Sequence, residues 1–264
     1  MTMDLGLKNK VVMISGASKG IGKAIAGVFA NEGANLSICA RDEDLLIKAA
    51  CELQEDMGIT VLPVVADLTQ LNDVKKFVSA TVDKFGLVDI LVNNAGSAPA
   101  GEFLKIKDEE WSDAWTLKFL GYVRLSREVF PHMRIRKYGC IINIIGNAGK
   151  QPMKNYMAGG HINAALLNFT KMLAHEGEQH GIRVNGISPG PTKTERWNDL
   201  VLKMSEAAGK DPVEWEKEFL MTFPLRRLAE PEEVGNLAAF LASDKACYVH
   251  GTVVTIDGGL TKCI

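Results

Sequence analysis

The sequence predicts an open, doubly wound α/β fold: one parallel sheet with helices on both faces, a three-layer α/β/α domain. Three observations carry that reading. Short apolar runs alternate with longer stretches of helical spacing, the rhythm of βαβ units rather than hairpins. The runs are apolar on consecutive rather than alternate residues, as in strands buried on both faces. The first run leads straight into a glycine-rich turn and then a helix. With 264 residues the chain can bury one sizeable core, and it reads as a single domain over 1–264.

In chain order, residues 11–14 (Val-Val-Met-Ile) are the first buried strand, and 21–29 carry helical spacing. Residues 35–40 are the second strand, 44–58 a helix and 61–66 the third strand. A helix over 74–85 precedes the fourth strand at 90–93. Residues 111–136 read as one long helix and 140–145 as the fifth strand. A helix over 156–175 is followed by a strand at 183–187, a last long helix at 232–241 and a seventh strand at 253–256. Each strand is a short apolar run and each helix a longer stretch with returns at three and four residues.

Residues 194–223 interrupt this rhythm. Trp197, Leu200, Val201, Met204, Trp215, Phe219, Leu220 and Met221 recur at helical spacing, which predicts two short amphipathic helices. They follow the C-terminal end of a strand, where open α/β folds bind ligands. The pair either closes over the core or a partner subunit, or forms a lid over an apolar substrate. The sequence supports both.

Composition narrows the function classes. The chain is 47% hydrophobic and 23% charged with formal net charge -2, so no basic excess points to nucleic acid. Asp4 interrupts the N-terminus early, and the first apolar run is short, so no secretory leader is expected. No run is long enough to span a membrane. The cysteines are scattered, with no C-x-x-C pair or metal-ligand cluster, so no metal is expected. Cys39 and Cys140 read as core residues, and a cytoplasmic setting is expected.

Ser15-Gly16-Ala17-Ser18-Lys19-Gly20-Ile21-Gly22 joins the first strand to the first helix. Glycines there permit a tight turn and close backbone approach to a pyrophosphate, which the helix N-terminus attracts. The strand–turn–helix context makes the triplet a specific dinucleotide signal. On these residues, and on Asn93-Asn94-Ala95-Gly96, Asp67-Leu68, Ile187-Ser188-Pro189-Gly190-Pro191-Thr192 and Asp257-Gly258-Gly259, the chain resembles the classical short-chain dehydrogenase/reductase family. The resemblance spans about residues 8 to 260. It implies a Rossmann-like domain in which Gly16, Ser18, Lys19, Gly20, Ile21 and Gly22 hold a dinucleotide with Asp67, Leu68, Asn93, Ala95 and Gly96. Asn163, Pro189, Gly190 and Thr192 would border its nicotinamide half.

After the second strand the chain reads Ala40-Arg41, where NAD-preferring members carry an acid. Ala40 cannot accept ribose hydrogen bonds, whereas Arg41 can pair with a 2′-phosphate. Lys19 adds a second cation, and Asp42 opposes both mildly. NADP(H) is the expected cofactor.

The family's chemistry needs Tyr-x-x-x-Lys on the helix after the fifth strand, a serine before that helix and an asparagine in the preceding one. At the family spacing the serine falls on Gly146, the tyrosine on Gly159, the lysine on Asn163 and the asparagine on Lys118. The last two are a reciprocal exchange: an ammonium could enter the same space from the other helix, and Asn163 retains a donor and an acceptor for ribose hydroxyls.

Tyr156 offers a phenol. Residues 156, 159, 160 and 163 would share one helical face, with the glycines leaving room for a ligand or for the ring. The Tyr156/Asn163 spacing also resembles the Tyr-x6-Lys of the related enoyl-reductase branch, without that branch's divergent glycine loop. Tyr156 then either exchanges a proton, with Lys118 biasing its pKa, or closes the helix start while Lys118 makes a structural contact. Asn147 is a candidate oxygen-polarising donor in place of the serine. His161 points elsewhere on the helix, and Asn143 reads as structural.

The resemblance implies a homodimer or homotetramer. Leu166, Leu167, Phe169, Met172 and Leu173 cover more than one helical face, as expected for burial against both sheet and partner. The functional expectation is an NADP(H)-dependent oxidoreductase with a non-standard site, acting on a sizeable apolar carbonyl or enoyl substrate. A non-redox lyase or isomerase, and an NADP(H)-binding regulatory protein without turnover, are the alternatives.

Overall fold

A computed structural model describes residues 4–263. Seven strands form one sheet: β1 (Val11–Ser15), β2 (Asn35–Ala40), β3 (Val61–Val65), β4 (Ile90–Asn93), β5 (Gly139–Ile144), β6 (Ile182–Pro189) and β7 (Val253–Ile256). Their order is β3-β2-β1-β4-β5-β6-β7 and every pairing is parallel. The order reverses direction between β1 and β4, so their carboxyl ends open a crevice between connections that leave in opposite directions.

Strand periodicity divides the core. Val12, Ile14, Leu36, Ile38, Ile90, Val92 and Ile142 point to one face, with Ile25, Phe29, Leu46 and Ala238 above them. Met13, Cys39, Leu91, Ile141 and Val184 point to the other, against Phe77, Leu125 and Met133. Successive residues go to opposite faces, so a strand sandwiched by helices must be apolar throughout. Helices α1 (Gly20–Asn31), α2 (Glu43–Met57) and α9 (Pro231–Ala242) cover the first face. Helices α3 (Leu71–Phe85), α5 (Gly121–Arg136) and α6 (Met157–Gly177) cover the second.

Two helices differ from the sequence expectation. Residues 111–136 do not form one uniform α-helix. Helix α4 (Asp108–Ala114) passes into a π-helical turn (Trp115–Leu120) and then into α5. Helix α6 begins at Met157, with Tyr156 at its N-cap in a non-helical conformation (φ -131°, ψ 37°).

A buried polar chain fixes α5 and α6 against the sheet. Asn93 donates through Nδ2 to Asn143 Oδ1 (2.9 Å) and Ser126 Oγ (3.1 Å), and Asn143 Nδ2 donates to Thr170 Oγ1 (2.9 Å). These bonds join β4, β5, α5 and α6 within the core, where an unpaired polar group would be costly.

The segment after β6 folds into α7 (Glu195–Ala208) and α8 (Pro212–Met221), as the spacing predicts. Its aromatic residues pack on one another: Trp215 stacks on Phe219 at 4.8 Å between centroids, Trp197 on Phe219 at 5.8 Å, and Phe219 meets Phe223 at 5.1 Å. Among the described residues no helix is long and apolar enough to cross a membrane.

Candidate active site

A cleft of about 640 Å³ opens over the carboxyl ends of β1, β2, β4, β5 and β6. Its first wall is the glycine turn. Gly16 has φ +67°, and a Cβ there would lie 2.9 Å from the Ala95 Cα. A Cβ on Gly22 would run into the Gly16 carbonyl and the Asn94 amide. Asn94 locks the turn to β4, donating to Ser15 O (3.0 Å) and Gly16 O (3.1 Å), while Ser15 Oγ accepts from the backbone N–H groups of Asn94 and Ala95. Helix α1 has no side-chain cap and no acid in its first turn, so its N-terminal N–H groups are left to an anion.

Gly16, Ser18, Lys19, Gly20, Ile21 and Gly22 all line the cleft, as do Arg41, Leu68, Ala95, Gly96, Asn163, Pro189 and Gly190. Asp67, Asn93 and Thr192 are not among its lining residues. Asp67 accepts from the Thr69 N–H within its own turn. Asn93 is fully buried beneath the cleft, and Thr192 donates to Gly190 O at 3.0 Å. Arg41 is exposed at the adenine end. Its neighbour Asp42 is occupied in capping α2, accepting from Leu45 N–H at 3.0 Å. Lys19 pairs with Glu195 of α7 at 2.9 Å.

At the inner end, Lys118 and Asn163 meet. Lys118 Nζ donates to Asn163 Oδ1 at 2.7 Å and to Ile145 O at 2.5 Å. The π-helical turn carries the lysine, and such turns often mark functional positions. Gly96 clears its path: a Cβ there would be 2.7 Å from the Lys118 Cδ. The two acceptors favour the charged ammonium. Desolvation on the cleft floor and, secondarily, the Arg196 charge outweigh them, and push the pKa down to about 7. Gly146 has φ +125°, and a Cβ there would be 2.8 Å from Asn163 Nδ2. A serine at 146 would be both strained and crowded by the asparagine.

Tyr156 does not share a helical face with Gly159, because it precedes the helix. Its ring nevertheless folds over Gly159: a Cβ built there would clash with the ring edge, 2.5 Å from the hydroxyl oxygen. That hydroxyl accepts from Arg196 Nη2 at 3.1 Å, and Arg196 Nη1 donates to Ser97 Oγ at 2.8 Å. The cation on the Tyr156 hydroxyl is therefore Arg196, while Lys118 is bonded to Ile145 and Asn163. Asn147 is buried at the start of a 3-10 turn and is not among the lining residues. His161 stacks on Trp115 at a centroid distance of 5.4 Å and meets Trp111, tilted by 38°, at 4.9 Å.

Arg196 escaped the sequence reading. One signal was available: it is the second residue of α7, where the helix dipole disfavours a cation.

A family model described as Enoyl-(Acyl carrier protein) reductase matches residues 16–261. The oxidoreductase UcpA of Salmonella typhimurium is 39% identical over 97% of this chain and 95% of its own length. The 3-oxoacyl-acyl-carrier-protein reductase FabG of Thermotoga maritima is 35% identical over 96% of this chain and 98% of its own. Among solved structures, the L-sorbose reductase of Gluconobacter frateurii complexed with NADPH and L-sorbose superposes with TM-score 0.93 at 37% identity, covering 99% of this chain and 100% of that one.

Proposed function

We propose a working arrangement for the cleft from the premise that this chain belongs to the classical short-chain dehydrogenase/reductase family and is an NADP(H)-dependent oxidoreductase. In this reading Tyr156 is the proton donor, and the observation that carries it is the phenol lying in the side-chain space of Gly159. The family tyrosine is lost from position 159, and the phenol of Tyr156 lies over the vacated position from the N-cap. In this structure Arg196 donates to its hydroxyl, and Lys118 and Asn163 fill the exchanged lysine and asparagine places.

The residues suit the cofactor. The glycine turn leaves a cradle that Cβ atoms would fill, and the open N-terminus of α1 faces it. Gly16, Ser18, Gly20, Ile21 and Gly22 hold the pyrophosphate, while Lys19 and Arg41 select the 2′-phosphate. Leu68, Ala95 and Gly96 line the path toward Asn163, Pro189 and Gly190. Asp67, Asn93 and Thr192 shape that path from behind. When bound, the dinucleotide supplies a hydride to the substrate carbon. The π bond of the substrate C=O, or of a C=C conjugated to one, breaks, and its electron pair is quenched by the proton of Tyr156. The phenolate then regains a proton from solvent.

Helices α7 and α8 act as the lid over 194–223. Of the apolar residues that suggested a sizeable apolar substrate, Trp197, Trp215 and Phe219 pack on one another, whereas α7 and its cap turn Thr194, Glu195, Arg196 and Asp199 to the cleft. The proposed substrate is therefore a carbonyl or enone with a polar end. The half-buried aromatic face of Trp111, Trp115, Phe119 and Phe169 is the proposed contact of a homodimer or homotetramer, in a cytoplasmic setting.

NADPH oxidation over a panel of carbonyl and enone substrates tests the reading. Turnover of at least one class is expected. Tight NADPH binding with no consumption across the panel would instead indicate a sensing protein.

A further inference from the structure

Arg196 reaches from the first turn of α7 across the inner cleft, and both hydrogen-bond partners of its terminal nitrogens, Ser97 Oγ and Tyr156 Oη, are neutral hydroxyls. Lys118, the second basic side chain at this end, likewise bonds only neutral carbonyl oxygens, Ile145 O and Asn163 Oδ1. None of the ion pairs among the described residues includes either cation. Of the nearby acids, Glu195 is tied to Lys19. Asp199 lines the cleft without pairing with Arg196.

A guanidinium fork is shaped for two oxygens side by side, and its strong partner is a carboxylate. Here two hydroxyl oxygens from separate segments occupy the fork. Exchanging them for one bidentate anion would replace neutral bonds by charge-assisted ones and free the Ser97 and Tyr156 hydroxyls for the substrate.

We infer that the substrate carries a carboxylate one or two carbons from the carbonyl that is reduced, and that Arg196 is its anchor. The inference rests on the reductase reading above, because Tyr156 fixes where the carbonyl oxygen sits. Nη2 is 3.1 Å from the Tyr156 hydroxyl, so an anion on the fork lies beside the oxygen that Tyr156 protonates. The 2-oxo and 3-oxo acids place carboxylate and carbonyl at that separation. Longer keto acids reach that separation only by folding back, at a cost in chain entropy.

The test compares 2-oxo and 3-oxo carboxylates with their methyl esters on the full chain, wild type against Arg196→Gln and Arg196→Lys. One readout is kcat/KM with NADPH. The other is calorimetric binding of acid and ester to the NADP+-saturated protein. Wild type is expected to prefer the acid by about 10- to 100-fold, the range of a charge-assisted bond. Arg196→Gln should abolish the preference, and Arg196→Lys should retain only part of it. Equal handling of acid and ester by wild type overturns the inference. So does an equal loss for both in Arg196→Gln, which would make Arg196 a support for Tyr156. A weakened NADPH affinity in Arg196→Gln with the acid/ester ratio intact also overturns it, since the anion would then be the cofactor's own phosphate. Selective acid binding with no reduction of any compound would leave the anchor standing and remove the reductase reading.

Discussion

Tyr156 and Gly159 give paired predictions because one supplies a group and the other the space for it. Tyr156→Phe keeps the ring and removes the proton, so turnover should fall about 10²- to 10⁴-fold, the range of general acid catalysis, with NADPH affinity unchanged. Unchanged steady-state turnover would mean that the phenol only closes the helix. Gly159→Ala should raise helix stability by up to ~1 kcal/mol while displacing the ring that overlies it. Thermal unfolding should therefore hold or improve as activity drops. Lys118 adds a pH signature. Its folded pKa of about 7 lies below the ordinary 10.5, so folding releases a proton between those values. The penalty is full below pH 7 and is relieved as pH rises toward 10.5. Wild type should thus gain stability relative to Lys118→Met between pH 7 and 9 in urea unfolding. Curves that shift in parallel would place the lysine in water. The expected departures at Gly159, Asn163 and Lys118 came from the family resemblance, laid on the chain at the family's spacing. The ring over Gly159 was anticipated through a shared helical face that does not exist, because Tyr156 is an N-cap. Arg196 was not legible, since sequence patterns do not report a side chain that crosses a cleft.

At the scale of elements, the strands were readable because both faces of a parallel sheet are buried, which leaves consecutive apolar residues. The π-helical turn at Trp115–Leu120 was hidden, since one widened turn shifts the apolar pattern by only about one residue. The chemistry of the α7–α8 pair was hidden for a different reason. Apolar residues at helical spacing look the same whether they face a ligand or a neighbouring helix, and here Trp197, Trp215 and Phe219 face one another. The α5 terminus is fastened more firmly than its exposed sequence suggests. Asp89, 4% exposed, accepts from Arg136 Nη2 at 2.7 Å and from the Val11 N–H at 2.9 Å. One carboxylate thereby joins the end of α5 to the start of β1. Arg136→Ala leaves that buried charge hydrogen-bonded only by the amide and should cost about 3 kcal/mol, the lower end of the range for breaking a buried pair, because the arginine is 34% exposed. Asp89→Asn, which removes the charge itself, should cost less. Equal losses in denaturant titrations would mean that packing of the arginine stem, not the ion pair, holds the helix.

Across the whole molecule, the doubly wound order brings a turn from near the N-terminus against a helix that follows the sixth strand. The Lys19–Glu195 pair is the visible link, joining the glycine turn to α7 at 2.9 Å with side chains 63% and 74% exposed. Both partners are solvated, so the link itself contributes no more than ~1 kcal/mol. Its consequence is competition. Lys19 and Arg41 are the cations proposed for the 2′-phosphate, and Arg41 has no ion-pair partner among the described residues, whereas Lys19 must leave Glu195 to engage it. Glu195→Gln should therefore tighten NADPH binding by up to about fivefold, the equivalent of that ~1 kcal/mol, and leave NADH binding unchanged, because NADH has no 2′-phosphate to claim the lysine. Arg41→Ala should weaken NADPH selectively in the same titrations. The thermal shift given by saturating NADPH should follow the two affinities. If Glu195→Gln weakens both cofactors alike, the carboxylate is holding α7 against the glycine turn over the dinucleotide rather than competing for Lys19, and the link between turn and helix works in the opposite sense.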